Sequence, residues 1–138
     1  MLRTAALCAA VLLALPAAAA DSSEAGFHNF YSTLRGAVAR RDQIALRKLM
    51  APDFSFIRAT NVAQGKVFQG LAADQGRQWA NLEQAVQAEP NIFPGGNPQR
   101  STRVVRCTPT DVIYNCLVVF TQDARGGWRW QGMIMPTR

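Results

Sequence analysis

Apolar residues recur at helical spacing near the start of the chain. Phe27, Tyr31, Leu34 and Val38 follow one another at steps of four, three and four, and Phe30 and Ala37 widen the stripe. This pattern predicts an amphipathic helix capped by Ser22 or Ser23, with Glu24 close to the positive end of its dipole. Asp42 reads as a second N-cap, opening a short helix to which Ile44, Leu46, Leu49 and Met50 give apolar surface. Pro52 stops it, because the residue before a proline leaves the helical region. Phe54 and Phe56, alternating with Ser55, Ile57 and Arg58, predict a short strand. Residues 59–70 read as a hairpin loop followed by a brief second strand through Val67 and Phe68. From Leu71 the helical period returns, with Ala72, Gln75, Trp79, Leu82 and Val86 on one side and Pro90 as the stop. Gly76 weakens this helix by about 1 kcal/mol relative to alanine. Pro94, Gly95, Gly96, Asn97 and Pro98 form a turn-rich connection inside the domain, since neither flank can bury a core alone.

The last third changes period. Residues 103–107, 111–121 and 128–135 are strand-like runs rich in Val, Ile, Tyr, Phe and Trp. Asp123 with the pair Gly126 and Gly127 joins the second run to the third as a hairpin over residues 122–127. On the central run Val112, Tyr114, Cys116, Val118 and Phe120 face one way and Ile113, Leu117 and Val119 the other. With both faces apolar, this strand is covered on two sides or lines a cavity.

Composition adds the domain count. The chain has 138 residues, 49% of them apolar, with 15 Lys and Arg against 9 Asp and Glu. That balance fits one globular domain and excludes a collagen, a coiled coil or a disordered tail. Residues 1–20 stand apart. Arg3, the apolar stretch from Ala5 to Leu15, Pro16 and four alanines have the layout of a cleavable secretory signal, with cleavage between Ala20 and Asp21. The segment is too short, too rich in alanine and too interrupted by Pro16 for a stable membrane anchor. Leu7 ahead of Cys8 excludes lipid attachment there. Residues 21–138 are then the exported domain, periplasmic or secreted, and the abundance of alanine and arginine points to a bacterium with GC-rich coding.

Removing the signal takes Arg3 and Cys8 but no acidic residue, so the mature chain stays basic. Its positive charges are scattered, with Arg40, Arg41, Arg47 and Lys48 at one helical junction and Arg100, Arg103 and Arg106 near one strand. They lack the interleaved aromatics of a nucleic-acid platform and read as solvated surface, with no nucleic-acid partner. Two cysteines remain, Cys107 and Cys116, and in an oxidising compartment an even pair predicts a disulfide. Closing the eight residues between them constrains the unfolded chain by about 2–3 kcal/mol. Pro109 and Thr110 suggest a tight turn at residues 108–111, which sets Cys107 opposite Val112 instead. A bridge therefore requires a wider turn, or one centred nearer Asp111 and Val112.

A helical hairpin, an early strand, a third helix and a closing antiparallel meander together resemble the NTF2-like superfamily in its SnoaL-like small-domain form. The phrases that carry the likeness are residues 30–50 followed by Ala51-Pro52-Asp53-Phe54, and the last strand beginning Gly126-Gly127-Trp128-Arg129-Trp130. The middle of the chain matches in outline. The resemblance implies an α+β fold in which the helical hairpin and third helix pack on a curved, mainly antiparallel sheet, forming a cone with one open mouth. It also implies pairing as a homodimer through the outer face of the sheet. Members include isomerases, hydrolases, lyases and pure binding domains, so the fold does not decide the function. The steroid-isomerase trio of a carboxylate base, a tyrosine and a protonated acid does not align onto this chain.

The candidate chemistry is sparse. His28, the single histidine, has a side chain suited to acid–base work but lies one residue off the Phe27–Tyr31 stripe, without an assignable orienting partner. Asp53 follows Pro52 where the family pocket begins, and reads equally as a turn residue bonded to its own backbone. Tyr31 either presents its hydroxyl to a pocket or is a core tyrosine with a bonded tip. Trp128 and Trp130 share one strand face, with Arg129 and Gln131 on the other, so they either grip a ligand ring or pack the sheet. With Tyr31, Trp79 and Tyr114 they are the candidate binding residues. One histidine and a cysteine pair without zinc spacing give no metal site, and no cofactor motif or nucleophile elbow is present. These readings describe an exported domain that binds a small apolar or amphipathic ligand in the cone, or a protein partner, without evident catalytic machinery. The alternative is a small isomerase, lyase or hydrolase of the SnoaL-like type that acts on an apolar substrate through Asp53, His28 or Tyr31.

Overall fold

The computed structural model describes residues 24–93, 100–106 and 116–134. The signal at residues 1–20, the caps Ser22 and Ser23, the turn at residues 108–111 and the binding candidate Tyr114 lie outside the described residues. Three helices pack on a five-stranded mixed sheet, an α+β architecture. Helix α1 (Glu24–Ala39) buries the predicted stripe of Phe27, Phe30, Tyr31, Leu34, Ala37 and Val38. Helix α2 (Gln43–Leu49) starts where its cap was expected, with the Asp42 carboxylate accepting the Ala45 N–H at 3.1 Å. So short a helix buries one side only. Leu46 takes it, and Ile44, expected on the apolar surface, is 74% exposed.

Strand β1 (Met50–Ile57) starts four residues before the predicted strand and contains Pro52. Proline is tolerated because β1 is an edge strand, where a missing N–H need not cost a ladder bond. Its parallel pairing with the last strand accordingly jumps from Met50↔Trp130 to Ser55↔Gly132 across the proline.

The second strand expected through Val67 and Phe68 is replaced by helix. An isolated bridge between Phe56 and Ala59 closes a turn, and α3 (Gln64–Ala85) begins soon after, burying Val67, Phe68 and Leu71. A short apolar run serves either period, and here i, i+1, i+4 spacing is used on a helix. The helix is broken in the middle. Asp74, Gln75 and Gly76 all take left-handed conformations, with φ of 52°, 59° and 77°. The break resets the helical phase, so Ala72 and Gln75, expected on the buried side, are exposed, whereas Trp79, Leu82 and Val86 are buried. Gly76 is thus part of a break, not a weak point in a continuous helix. No helix among the described residues is long and apolar enough to cross a membrane.

Strands β2 (Asn91–Ile92), β3 (Thr102–Arg106), β4 (Leu117–Gln122) and β5 (Trp128–Ile134) complete the sheet in the order β1-β5-β4-β3-β2, antiparallel except for β1 with β5. The inner face carries Val105, Val118, Phe120, Trp128, Trp130 and Met133 against the helices. Within β4 the apolar outer face is only half covered, because Leu117 and Val119 keep partial exposure while Val118 and Phe120 are fully buried. The predicted hairpin forms as expected. Asp123 Oδ1 accepts the N–H of Arg125 and of Gly127, each at 2.9 Å, and Gly126 adopts φ 82°.

The β3–β4 register runs from Thr102↔Thr121 to Arg106↔Leu117. Cys116, next to Leu117, is 2% exposed, and Cys107 lies outside the described residues. Peptide mapping of the exported protein without reductant is expected to recover a Cys107–Cys116 cross-link, and recovery of both thiols free removes it. A second prediction concerns Gly132, where an added Cβ would stand 2.6 Å from the backbone oxygen of Ser55. Gly132→Ala is expected to lose about 1–3 kcal/mol in urea unfolding, as an overpacked core position does. An unchanged midpoint would show that β1 can retreat freely.

Candidate functional site

The outer face of the sheet carries the polar chemistry. Along β5 the tryptophans point inward, and the outward residues are Arg129, opposite Thr121, and Gln131, the extra residue where pairing shifts between Val119↔Gly132 and Phe120↔Trp130. Each is pinned. Arg129 Nε donates to Asp123 Oδ2 at 3.3 Å and its Nη1 to the Lys48 carbonyl at 3.1 Å. Gln131 Nε2 donates to the Asp53 carbonyl and to Asp53 Oδ1, both at 3.1 Å. With Ala51, Pro52, Arg100, Thr121, Gln122 and Ala124 these residues wall a cleft of about 430 Å³.

Its charges are divided between engaged and available groups. Partial burial of Asp123 works to raise its pKa, but the backbone N–H groups of Arg125 and Gly127 and the Arg129 guanidinium outweigh it and hold the carboxyl below the usual aspartate range. Asp123 is therefore committed as an anion to the hairpin. Arg100 is exposed and takes part in none of the three ion pairs among the described residues. Asp53 keeps its second carboxylate oxygen, and Gln131 its amide oxygen, outside the bonds just named.

The candidates named from the sequence are dispersed. His28 is exposed on α1, and its ring leans on Phe27 at 6.3 Å between centroids. Asp53 is exposed in the outer cleft. Tyr31 is 4% exposed, and its hydroxyl proton is shared between the carbonyls of Val86 at 3.0 Å and Ala88 at 2.7 Å. It ties α1 to the end of α3 as a core tyrosine. Trp79 stacks on Phe68 at 6.1 Å, and Trp130 meets Phe54 edge-on at 4.7 Å. Trp128 meets Phe27 edge-on at 4.8 Å. These rings fill the space between sheet and helices with one another. Among the described residues no three His, Cys, Asp or Glu side chains gather as metal ligands.

The sequence named Asp53 from its place after Pro52 and set Arg129 and Gln131 on the face opposite the two tryptophans, but did not bring the three together, because the pairing of β1 with β5 is a long-range contact. Arg100, read as scattered surface charge, follows the turn-rich connection. Neither protein-family models, characterised proteins nor solved structures yield a match to this chain.

Burial raises the Tyr31 pKa to about 12, with the Arg35 charge working against the shift. The folded state therefore keeps a proton that the unfolded chain gives up near pH 10. This contribution to stability is complete below pH 10 and is lost between about 10 and 12. An alkaline titration followed at the tyrosinate absorbance is expected to show one late-ionising tyrosine that Tyr31→Phe removes. Ionisation of both tyrosines near pH 10 would contradict the burial.

Proposed function

We propose that the chain is an exported, non-catalytic binding domain with an NTF2-like cone fold, and that its outer cleft receives a small polar ligand carrying both charges. The observation that carries this reading is the fixed geometry of the cleft. Arg129 and Gln131 are each held by two hydrogen bonds, so their remaining donors and acceptors are set before a ligand arrives, and preorganisation lowers the cost of binding. Arg100 and Arg129 suit a carboxylate, and the free Asp53 oxygen suits an ammonium group. Tyr31, whose hydroxyl serves two backbone carbonyls, and Asp53, which meets a carboxamide, have the partners of binding and structural groups rather than of an acid–base pair. The apolar-ligand version in the cone is less well supported, because Trp79, Trp128 and Trp130 already pack on neighbouring rings.

The test is a titration of isotope-labelled exported protein with an α-amino acid, with acetate and with methylammonium. The amino acid is expected to move the amide signals of residues 121–124 and 131 more than either half-molecule does. Arg100→Gln is expected to weaken it about tenfold, as loss of one charge-assisted contact does. If none of the three probes perturbs these signals, the reading fails.

A further inference from the structure

The outer cleft holds two charged groups without an ionic partner among the described residues, Arg100 and Asp53, and they are not paired with each other. Sheet topology keeps them apart. Arg100 leads into β3, where the Gln122 N–H donates to the Ser101 carbonyl and the Ser101 N–H to Gln122 Oε1, each at 3.2 Å. Asp53 belongs to β1, at the far end of the order β1-β5-β4-β3. Three strand spacings therefore lie between their backbones, about 14 Å across the sheet. The Ser101–Gln122 bonds also set Arg100 at the hairpin end of β4, whereas Gln131, which meets Asp53, stands further along β5. The separation thus has a component along the strands as well.

Two polar side chains of β5 wall the cleft between these charges. Arg129 Nε donates to Asp123 and Nη1 to the Lys48 carbonyl, and Nη2 makes no hydrogen bond among the described residues. Gln131 Nε2 donates to Asp53, and Oε1 accepts none there. Each side chain is held in place by the bonds it already makes. From β1 toward β3 the cleft therefore offers an anion, an acceptor, a donor and a cation.

One donor and one acceptor between opposite charges are the complement of a peptide group between an ammonium and a carboxylate. Resting on the two-charge reading of this cleft, we propose that it is a site for short peptides with free ends, a dipeptide above all. Asp53 takes the ammonium, Arg100 the carboxylate, Gln131 Oε1 the peptide N–H and Arg129 Nη2 the peptide carbonyl. A single α-amino acid carries both charges on one carbon and is short for the span, and each further residue of an extended chain adds about 3.3–3.6 Å. The cleft has the room, since its volume of about 430 Å³ lies within the range of small-ligand sites, about 300–1,000 Å³.

Calorimetry on the exported protein with glycine, diglycine and δ-aminovalerate tests the proposal. The last has as many chain atoms between its charges as diglycine but no peptide group. Diglycine is expected to bind at least about tenfold more tightly than either, as a hydrogen bond to a charged group adds. Gln131→Met keeps the side-chain length and removes the amide. It loosens Asp53 equally for both long ligands, yet is expected to bring diglycine and δ-aminovalerate to within about threefold of each other. Glycine or δ-aminovalerate binding as tightly as diglycine overturns the peptide site and leaves the two-charge reading standing. If none of the three binds, that reading falls with it.

Discussion

β5 is bonded on both edges, antiparallel to β4 and parallel to β1, and the whole arrangement depends on how closely β1 approaches it at Gly132. A side chain there would collide with the backbone of Ser55, so the sheet can extend past β5 only because that position is glycine. The same neighbourhood holds the bulge at Gln131, which re-aims one residue without moving its neighbours off their faces. Trp130 consequently stays inward, fully buried and edge-on to Phe54 of β1, while Gln131 reaches the Asp53 backbone of the same edge strand. One close approach thus fixes an inner contact and an outer one together.

The two faces of the sheet solve opposite electrostatic problems. Outside, Arg129 is held by Asp123 of the hairpin and by the Lys48 carbonyl of α2, Asp53 meets Gln131, and water screens the exposed charge of Arg100. Inside, Arg103 is held mainly by ring faces, with one half-solvated carboxylate, that of Glu24, against it among the described residues. A guanidinium tolerates such a place because its charge is spread over a weakly hydrated plane, and an ammonium in the same position would pay more for leaving water.

What the sequence made legible follows from how local each signal is. The α1 stripe and the Asp42 cap involve residues within a few positions of one another, as does the Asp123–Gly127 hairpin, and all three are present. The start of α3 was unreadable because Ala63 offers no side-chain cap and the pair Val67–Phe68 fits a strand as well as a helix. Arg103 was unreadable for another reason. In Thr-Arg-Val-Val-Arg the two valines are adjacent and lie on opposite faces, so alternation cannot choose which arginine turns inward. That choice is made by Phe27 and Trp128, contributed from opposite ends of the described chain.

The left-handed interruption in α3 also bears on the order of assembly. It leaves segments 64–72 and 77–85, each nine residues long. Isolated helices below about 12 residues scarcely persist in water, and nucleation has to be met separately on either side of the break. Neither segment can therefore act as an early seed. Both must wait for the sheet to offer a surface on which Leu71 and Trp79 can settle, which makes α3 a product of tertiary collapse and leaves α1 as the longest uninterrupted coil able to start it.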